Sequence, residues 1–211
     1  MIERKHNGLV KILTGIRGCG KSYLLLTLFR DHLIKSGVDP DHICVYEFPR
    51  SSDRSMCSPD VFFADLKKRL PGTGRCYLLL DNVEYLSDVA QVLNSLNHED
   101  RLDVYVTVSH ASGFATDVST VFRGRGDAVH VFPLSFAEFM SGFDGGLHEA
   151  WAQYSRYGGM PAVVALESEE EKRSRLTSFL KDTCVADVAG YYDVGKTSEL
   201  EAFIRVIASC A

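Results

Sequence analysis

The sequence predicts an α/β fold: a five-stranded parallel sheet flanked by helices, followed by a small helical lid. Three observations carry this. A short apolar run, a glycine-rich turn and a helix-length apolar stretch follow one another over residues 9–35. Apolar, β-rich runs then alternate with helical segments as far as Pro133, and beyond Leu134 the strand pattern stops. Alternating strands and helices imply parallel strands joined by right-handed crossovers. The expected division is an α/β domain at 1–133 and a helical region at 134–211.

Composition agrees with that plan. With 211 residues, 45% of them hydrophobic, the chain can bury one sizeable core and still carry a helical appendage. Its apolar runs fall far short of the ~18 residues of a membrane helix. Met1 to His6 lead into no signal-like segment, so a cytoplasmic protein is expected. The six cysteines, at 19, 44, 57, 76, 184 and 210, form no C-x-x-C pair and have no histidine at zinc-ligand spacing, which indicates reduced thiols. Cys44 and Cys76 sit at strand positions as small buried hydrophobes. A net charge of −5 with interspersed signs does not indicate nucleic acid as a partner. The densest basic run, Lys67-Lys68-Arg69, closes a predicted helix and complements its dipole.

The first strand is Leu9-Val10-Lys11-Ile12-Leu13, and the helix after the turn ends near Ser36-Gly37. Between them, Gly15-Ile16-Arg17-Gly18-Cys19-Gly20-Lys21-Ser22 fits G-x-x-x-x-G-K-[ST], the P-loop pattern that wraps nucleotide phosphates. Glycines let successive N–H groups turn onto phosphate oxygens, Lys21 adds a point charge, and the Ser22 hydroxyl can hold Mg²⁺. The helix start adds its positive dipole end. The candidate phosphate-binding residues are therefore Gly15, Ile16, Arg17, Gly18, Cys19, Gly20, Lys21, Ser22 and Tyr23, and the fold class becomes a P-loop NTPase.

His42 to Phe48 form the second strand, stopped by Pro49, and 50–57 is a polar surface loop. Ser58-Pro59-Asp60 opens a helix to about Leu70, with a cap residue, a proline at the first position and an early acid. The third strand, Cys76-Tyr77-Leu78-Leu79-Leu80-Asp81, ends in a carboxylate that a buried parallel strand would deliver to the P-loop crevice, where it can orient Mg²⁺. A helix from Ser87 to Asn97 follows, with Val89, Val92, Leu93 and Leu96 at helical spacing. The fourth strand, Asp103 to Ser109, ends beside His110, a candidate for reaching the γ-phosphate or the attacking water. A short helix is expected at Ala115 to Phe122 and a fifth strand at Ala128 to Phe132.

In the helical region, Ser135-Phe136-Ala137-Glu138 is a capping box, Leu147 to Tyr157 a helix, and Gly158-Gly159-Met160-Pro161 a turn. The helix from Glu167 carries Glu169/Arg173 and Glu171/Arg175 at i,i+4, and a helical stretch continues from Phe179 to about Tyr192. Ser198 and Glu201 suggest another capping box before an apolar stripe of Leu200, Phe203, Ile204 and Ile207. That stripe docks on the lid or belongs to something longer.

Several of these stretches together resemble the prokaryotic AAA-type ATPases whose longer members carry a C-terminal domain of unknown function. The carriers are Leu13 to Ser22, Tyr77 to Glu84, Val104 to His110, Phe122-Arg123-Gly124-Arg125-Gly126, Phe132 to Phe139 and Tyr157 to Pro161. The most specific are Pro133-Leu134-Ser135-Phe136-Ala137-Glu138-Phe139 and Gly158-Gly159-Met160-Pro161. The resemblance implies ATP as the nucleotide, Gly15 to Ser22 on phosphates and Mg²⁺, Asp81 as the Mg²⁺-organising acid, and γ-phosphate sensing at the end of the fourth strand. It places Arg123 or Arg125 where such proteins carry an arginine finger for a neighbouring subunit, hence self-association.

Two positions depart from the family pattern. Asn82 stands where a glutamate usually follows the strand-end aspartate and cannot accept a proton, and Val108-Ser109-His110 stands where Gly-Ser-Asn is usual. Glu84 replaces a usual glutamine and offers a carboxylate two residues on. The expected catalytic set is Lys21, Asp81, Glu84, His110, Arg123 and Arg125, with Ser22 and Asp81 toward the metal. The expected function is ATP binding with slow Mg²⁺-dependent hydrolysis coupled to lid movement. The alternative is a nucleotide-gated interaction module without turnover, acting on an unknown protein partner. A small-molecule kinase would need an acceptor pocket and a mobile basic lid for which no residues stand out.

Overall fold

The computed structural model describes residues 1–48, 55–109, 126–185 and 197–209. Five strands, β1 (Val10–Thr14), β2 (Ile43–Glu47), β3 (Cys76–Asp81), β4 (Leu102–Thr107) and β5 (Gly126–His130), form one parallel sheet in the order β2-β3-β4-β1-β5. Parallel strands need crossovers, and the helices supplying them cover both faces, so β1 and β3 are buried along their whole length.

The strand alternation sorts the core. Leu78, Leu80, Val104 and Val106 face one side with Phe62 and Leu66 of the helix Pro59–Arg69 and Val92, Leu93 and Leu96 of the helix Val89–Asn97. Leu13, Tyr77, Leu79 and Tyr105 face the other, against Leu25, Phe29 and Leu33. Each such fully buried side chain contributes about 1.5–3 kcal/mol of transfer free energy.

The strand and helix positions follow the sequence pattern with local differences. β5 runs Gly126–His130, two residues before the expected Ala128–Phe132, because its pairing with the five residues of β1 starts at Val10↔Gly126 and ends at Thr14↔His130; Arg4 pairs with Asp127 and donates to the Ala128 carbonyl beside it. The helix after the glycine turn starts at Lys21–Tyr23, passes through a π-helical stretch Leu24–Phe29 and ends with Arg30–Lys35; apolar periodicity does not distinguish these hydrogen-bond registers. Ser58 occupies its cap position without a side-chain capping bond. The expected surface loop before it ends in a 3₁₀ turn, Ser55–Cys57, with Cys57 buried. The short helix expected at 115–122 lies outside the described residues.

By its internal contacts the chain divides into two compact units. As far as described, one takes residues 1–15, 21–109 and 126–131 and holds the sheet; the other takes 16–20 and 132–209. In the second unit Ser135 and Glu138 form the complete capping box of the helix Phe136–Ser141. Its Phe136 and Phe139 rings meet Trp151 and Tyr154 of the helix Leu147–Tyr157. The helix Glu169–Phe179 forms its Glu169–Arg173 pair and runs on as a π-helical stretch Leu180–Val185.

The helix Thr197–Ser209 starts before Ser198, so Ser198 lies inside its first turn, and Glu201 pairs forward with Arg205. Its stripe is divided: Phe203 is 62% and Ile207 54% exposed, while Leu200 and Ile204 are half-buried. Among the described residues no helix is long and apolar enough to cross a membrane.

Candidate functional site

In the parallel sheet Thr14, Glu47, Asp81, Thr107 and His130 all finish strands at one edge. That carboxyl edge is where open α/β sheets bind ligands. The turn Gly15–Gly20 leaves β1 there. Gly18 and Gly20 have φ of +79° and +103°, a backbone region closed to most side chains. The Cys19 N–H bonds the Ile16 carbonyl within the turn, and the Cys19 side chain is buried. Gly18, Ser22, Ile16 and Tyr23 are exposed.

Lys21 is 6% exposed, and its Nζ donates to the Gly15 carbonyl at 2.9 Å. The ammonium thus lies beside the Gly15 carbonyl at the start of the turn.

Asp81 is buried at 3% exposure. Its Oδ1 accepts from Thr107 Oγ1 at 2.5 Å and its Oδ2 from Asn82 Nδ2 at 2.8 Å. Thr107 Oγ1 in turn accepts the Asn82 N–H at 2.9 Å. One bond to each carboxylate oxygen leaves lone pairs for further donors. Asn82 has φ +57°, a left-handed conformation that asparagine tolerates better than most residues. Asn82 therefore supports Asp81 by its side-chain amide directly and by its backbone N–H through Thr107.

Glu84 sits in the 3₁₀ turn Val83–Tyr85 that follows. Both of its carboxyl oxygens are buried, and neither completes a hydrogen bond among the described residues. Burial pushes its pKa above the usual carboxylate range, against the opposing pull of its own backbone N–H, of the Ser109 hydroxyl and amide, and of the Lys21 charge. Glu84, Lys21 and Ser109 therefore share one electrostatic neighbourhood. Of the expected catalytic residues, Lys21, Asp81 and Glu84 are described at this edge; His110, Arg123 and Arg125 lie outside the described residues.

Sequence reasoning missed Thr107, a hydroxyl at 0% exposure within an apolar strand. It also missed Met160 and Phe179 of the second unit. A Cβ added to Gly18 would lie 3.2 Å from Met160 Cε and 3.5 Å from Phe179 Cε2. Beside them is a pocket of about 180 Å³ lined by Arg17, Gly18, Met160, Ala162, Val163, Arg175, Ser178 and Phe179. The signals were present, a buried-strand threonine next to the acid's strand and a Gly-Gly-Met-Pro turn, but each needed the fold to name its partner.

A glycine turn between a buried strand and a helix, a lysine at the helix start and a strand-end acid define a P-loop NTPase domain. Residues 7–140 match the family model described as an AAA domain, and residues 148–211 match a domain of unknown function, DUF8612. The chain belongs to the AAA domain family.

An uncharacterized protein of Haemophilus influenzae is 25% identical over 99% of this chain and 53% of its own length. One of Methanocaldococcus jannaschii is 19% identical over 94% of this chain and 46% of its own. The chain thus spans about half the length of the curated relatives it matches. Among solved structures, Caenorhabditis elegans PCH-2 is similar at TM-score 0.48 and 16% identity, covering 77% of this chain and 42% of that one. A DNA polymerase III gamma subunit-related protein of Thermotoga maritima is similar at TM-score 0.47 and 13% identity, covering 86% and 59%.

Proposed function

We propose that this chain binds ATP with Mg²⁺ and hydrolyses it slowly, a nucleotide-binding part at 1–133 changing the position of a helical lid at 134–211. The observation that carries the hydrolytic part is the buried carboxyl group of Glu84, unpaired and within the field of Lys21 and beside Ser109. A carboxylate kept dry without a completed hydrogen bond is destabilising, and such perturbed groups cluster at functional sites.

The residues fit a metal–triphosphate. Ser22 is exposed at the helix start and Asp81 keeps free lone pairs, so these two would hold Mg²⁺, which supplies charge neutralisation of the phosphate oxygens when bound. Lys21 exchanges the Gly15 carbonyl for phosphate oxygens. The N–H groups of 16–22 offer donors along the turn. Glu84 orients a water for in-line attack on the γ-phosphorus and takes its proton as the bond to the bridging oxygen breaks and ADP departs. Asn82, an amide donor on Asp81, takes no part in proton transfer. In this reading His110 senses the γ-phosphate, and Arg123 or Arg125 serves a neighbouring copy.

A second reading, a nucleotide-gated interaction module without turnover, is favoured by that same Asn82, which stands on Asp81 where a base is usual. Phosphate release and ATP binding, measured with and without Mg²⁺, separate the two. Hydrolysis predicts slow release by the native protein and a loss of about 10²–10⁴ in rate for Glu84→Gln with binding kept. Bound ATP left intact over many hours gives the second reading. A Lys21→Ala variant that binds ATP as tightly as the native chain sinks both.

A further inference from the structure

The turn Gly158–Pro161 stands outside every step above, yet it is fixed with unusual care. Gly159 admits no side chain, since a Cβ there would lie 1.9 Å from the Leu134 carbonyl oxygen. The Leu134 N–H donates to the Gly159 carbonyl at 2.8 Å, and Tyr154 Oη donates to the Leu134 carbonyl at 2.8 Å. On its other side the Met160 carbonyl accepts the N–H groups of Val163 and Val164, which starts the short helix Pro161–Val164. Met160 is thus anchored before and after, and its side chain is 8% exposed in a cluster with Tyr157, Val163, Leu176 and Phe179. A methionine is flexible by nature; here backbone and neighbours hold it still.

What it is held against is the phosphate turn. Met160 Cε and the Phe179 ring lie on the Cβ side of Gly18, and Pro161 Cγ lies 3.7 Å from the Cβ position of Gly20. Both glycines have positive φ, and Gly18 itself remains exposed. One side of the turn is braced and another is open.

We infer that Met160, seconded by Pro161, is a positioning residue for the phosphate-binding turn, keeping the amides of residues 18–22 aimed at an incoming phosphate chain. This rests on the reading of Gly15 to Ser22 as a phosphate cradle. The physical gain is preorganisation: a glycine-rich turn has many accessible conformations, and a brace removes their entropy before the ligand arrives. It also explains the Gly-Gly-Met-Pro order, with Gly158 taking the positive φ that closes the helix Leu147–Tyr157, Gly159 allowing the close approach to Leu134, and Met-Pro delivering the contact.

The test begins without ligand. Amide hydrogen exchange of residues 18–22 in the nucleotide-free protein is expected to quicken about tenfold in Met160→Ala, less in Pro161→Ala, and to return near native in Met160→Leu. Affinities for Mg²⁺-ATP and for Mg²⁺ with inorganic triphosphate, measured well below the melting temperature, are then expected to fall together by about tenfold in Met160→Ala.

Unchanged exchange at 18–22 in folded Met160→Ala overturns the inference. So does a loss confined to ATP, which would make Met160 a contact for the base instead of a brace. Should Met160→Ala not fold, the same comparison between Pro161→Ala and the native protein decides. Lys21→Ala binding triphosphate as tightly as native would remove the cradle reading itself, and the ligand-free exchange result would still stand or fall alone.

Discussion

Asp103 and Glu84 both bury their carboxyl groups in the sheet unit, and they are treated in opposite ways. Asp103, near the start of β4, pairs with Lys11 of β1 and accepts Tyr105 Oη at 3.0 Å and the His6 N–H at 3.1 Å. Tyr77 Oη reaches the His6 ring at 2.9 Å, and Lys11 stacks over the Tyr105 ring. Burial and the Asp103 charge push the Tyr105 hydroxyl well above the usual phenol range, which keeps it a donor. Glu84, past the end of β3, has no such shell. A buried charge with donors on both oxygens ties strands and N-terminal segment together, whereas one without a completed hydrogen bond is a cost to the fold, and it lies at the carboxyl edge of the sheet.

The largest effect that tests this contrast is on the Asp103 side. Lys11→Met leaves a buried carboxylate without its cation, an expected loss of about 3–5 kcal/mol. At roughly 2–4 °C per kcal/mol for a chain this long, the melting temperature should fall by about 10 °C. Adding Asp103→Asn, which keeps acceptors for Tyr105 and His6, should recover part of it. A single variant that melts within a degree or two of native would mean that the network is ornamental.

Thr107→Val is expected to have an intermediate effect. It keeps shape but removes a donor from Asp81 and an acceptor from the Asn82 N–H, for about 1–3 kcal/mol in urea unfolding, with Thr107→Ser restoring most of it. Equal stability of the valine variant would show that Asp81 is no better supported than Glu84.

The smallest effect has the opposite sign. Because the folded state raises the Glu84 pKa, that state binds the proton more readily than the unfolded chain. Its contribution is therefore most favourable below the unfolded carboxylate pKa and declines as pH rises through the folded one. Glu84→Gln should raise the melting temperature at pH 7 by about 2–4 °C, and the gain should shrink as the pH approaches 4. A gain that is constant with pH would place the cause elsewhere than in the carboxylate charge.

Much of the fold was legible because its signals are local. β3 has the expected limits, Cys76–Asp81, since a continuous apolar run ending in an acid can hardly be anything but a buried strand with its polar tip at the edge. Leu147–Tyr157 likewise matches, bounded by glycines on both sides. The π-helical stretch at Leu24–Phe29 was not legible, because an apolar run is equally compatible with α and π registers. Lys11 was passed over inside an otherwise apolar run; its reason, Asp103, lies on a neighbouring strand.

The sequence by itself determined the order strand, glycine turn, helix, the glycines at the left-handed positions, Lys21 and Ser22 at the helix start, and Asp81 at the tip of a buried strand. These follow from backbone geometry and from patterns a few residues long. Only the tertiary structure decided that Thr107, 26 residues away, would bond Asp81. It likewise set the Glu84 carboxyl group beside Ser109 and in the field of Lys21, and rested Met160 against Gly18. Those pairings depend on which strands lie side by side and which turns approach closely, and a burial pattern specifies that a side chain points inward without specifying what it meets there.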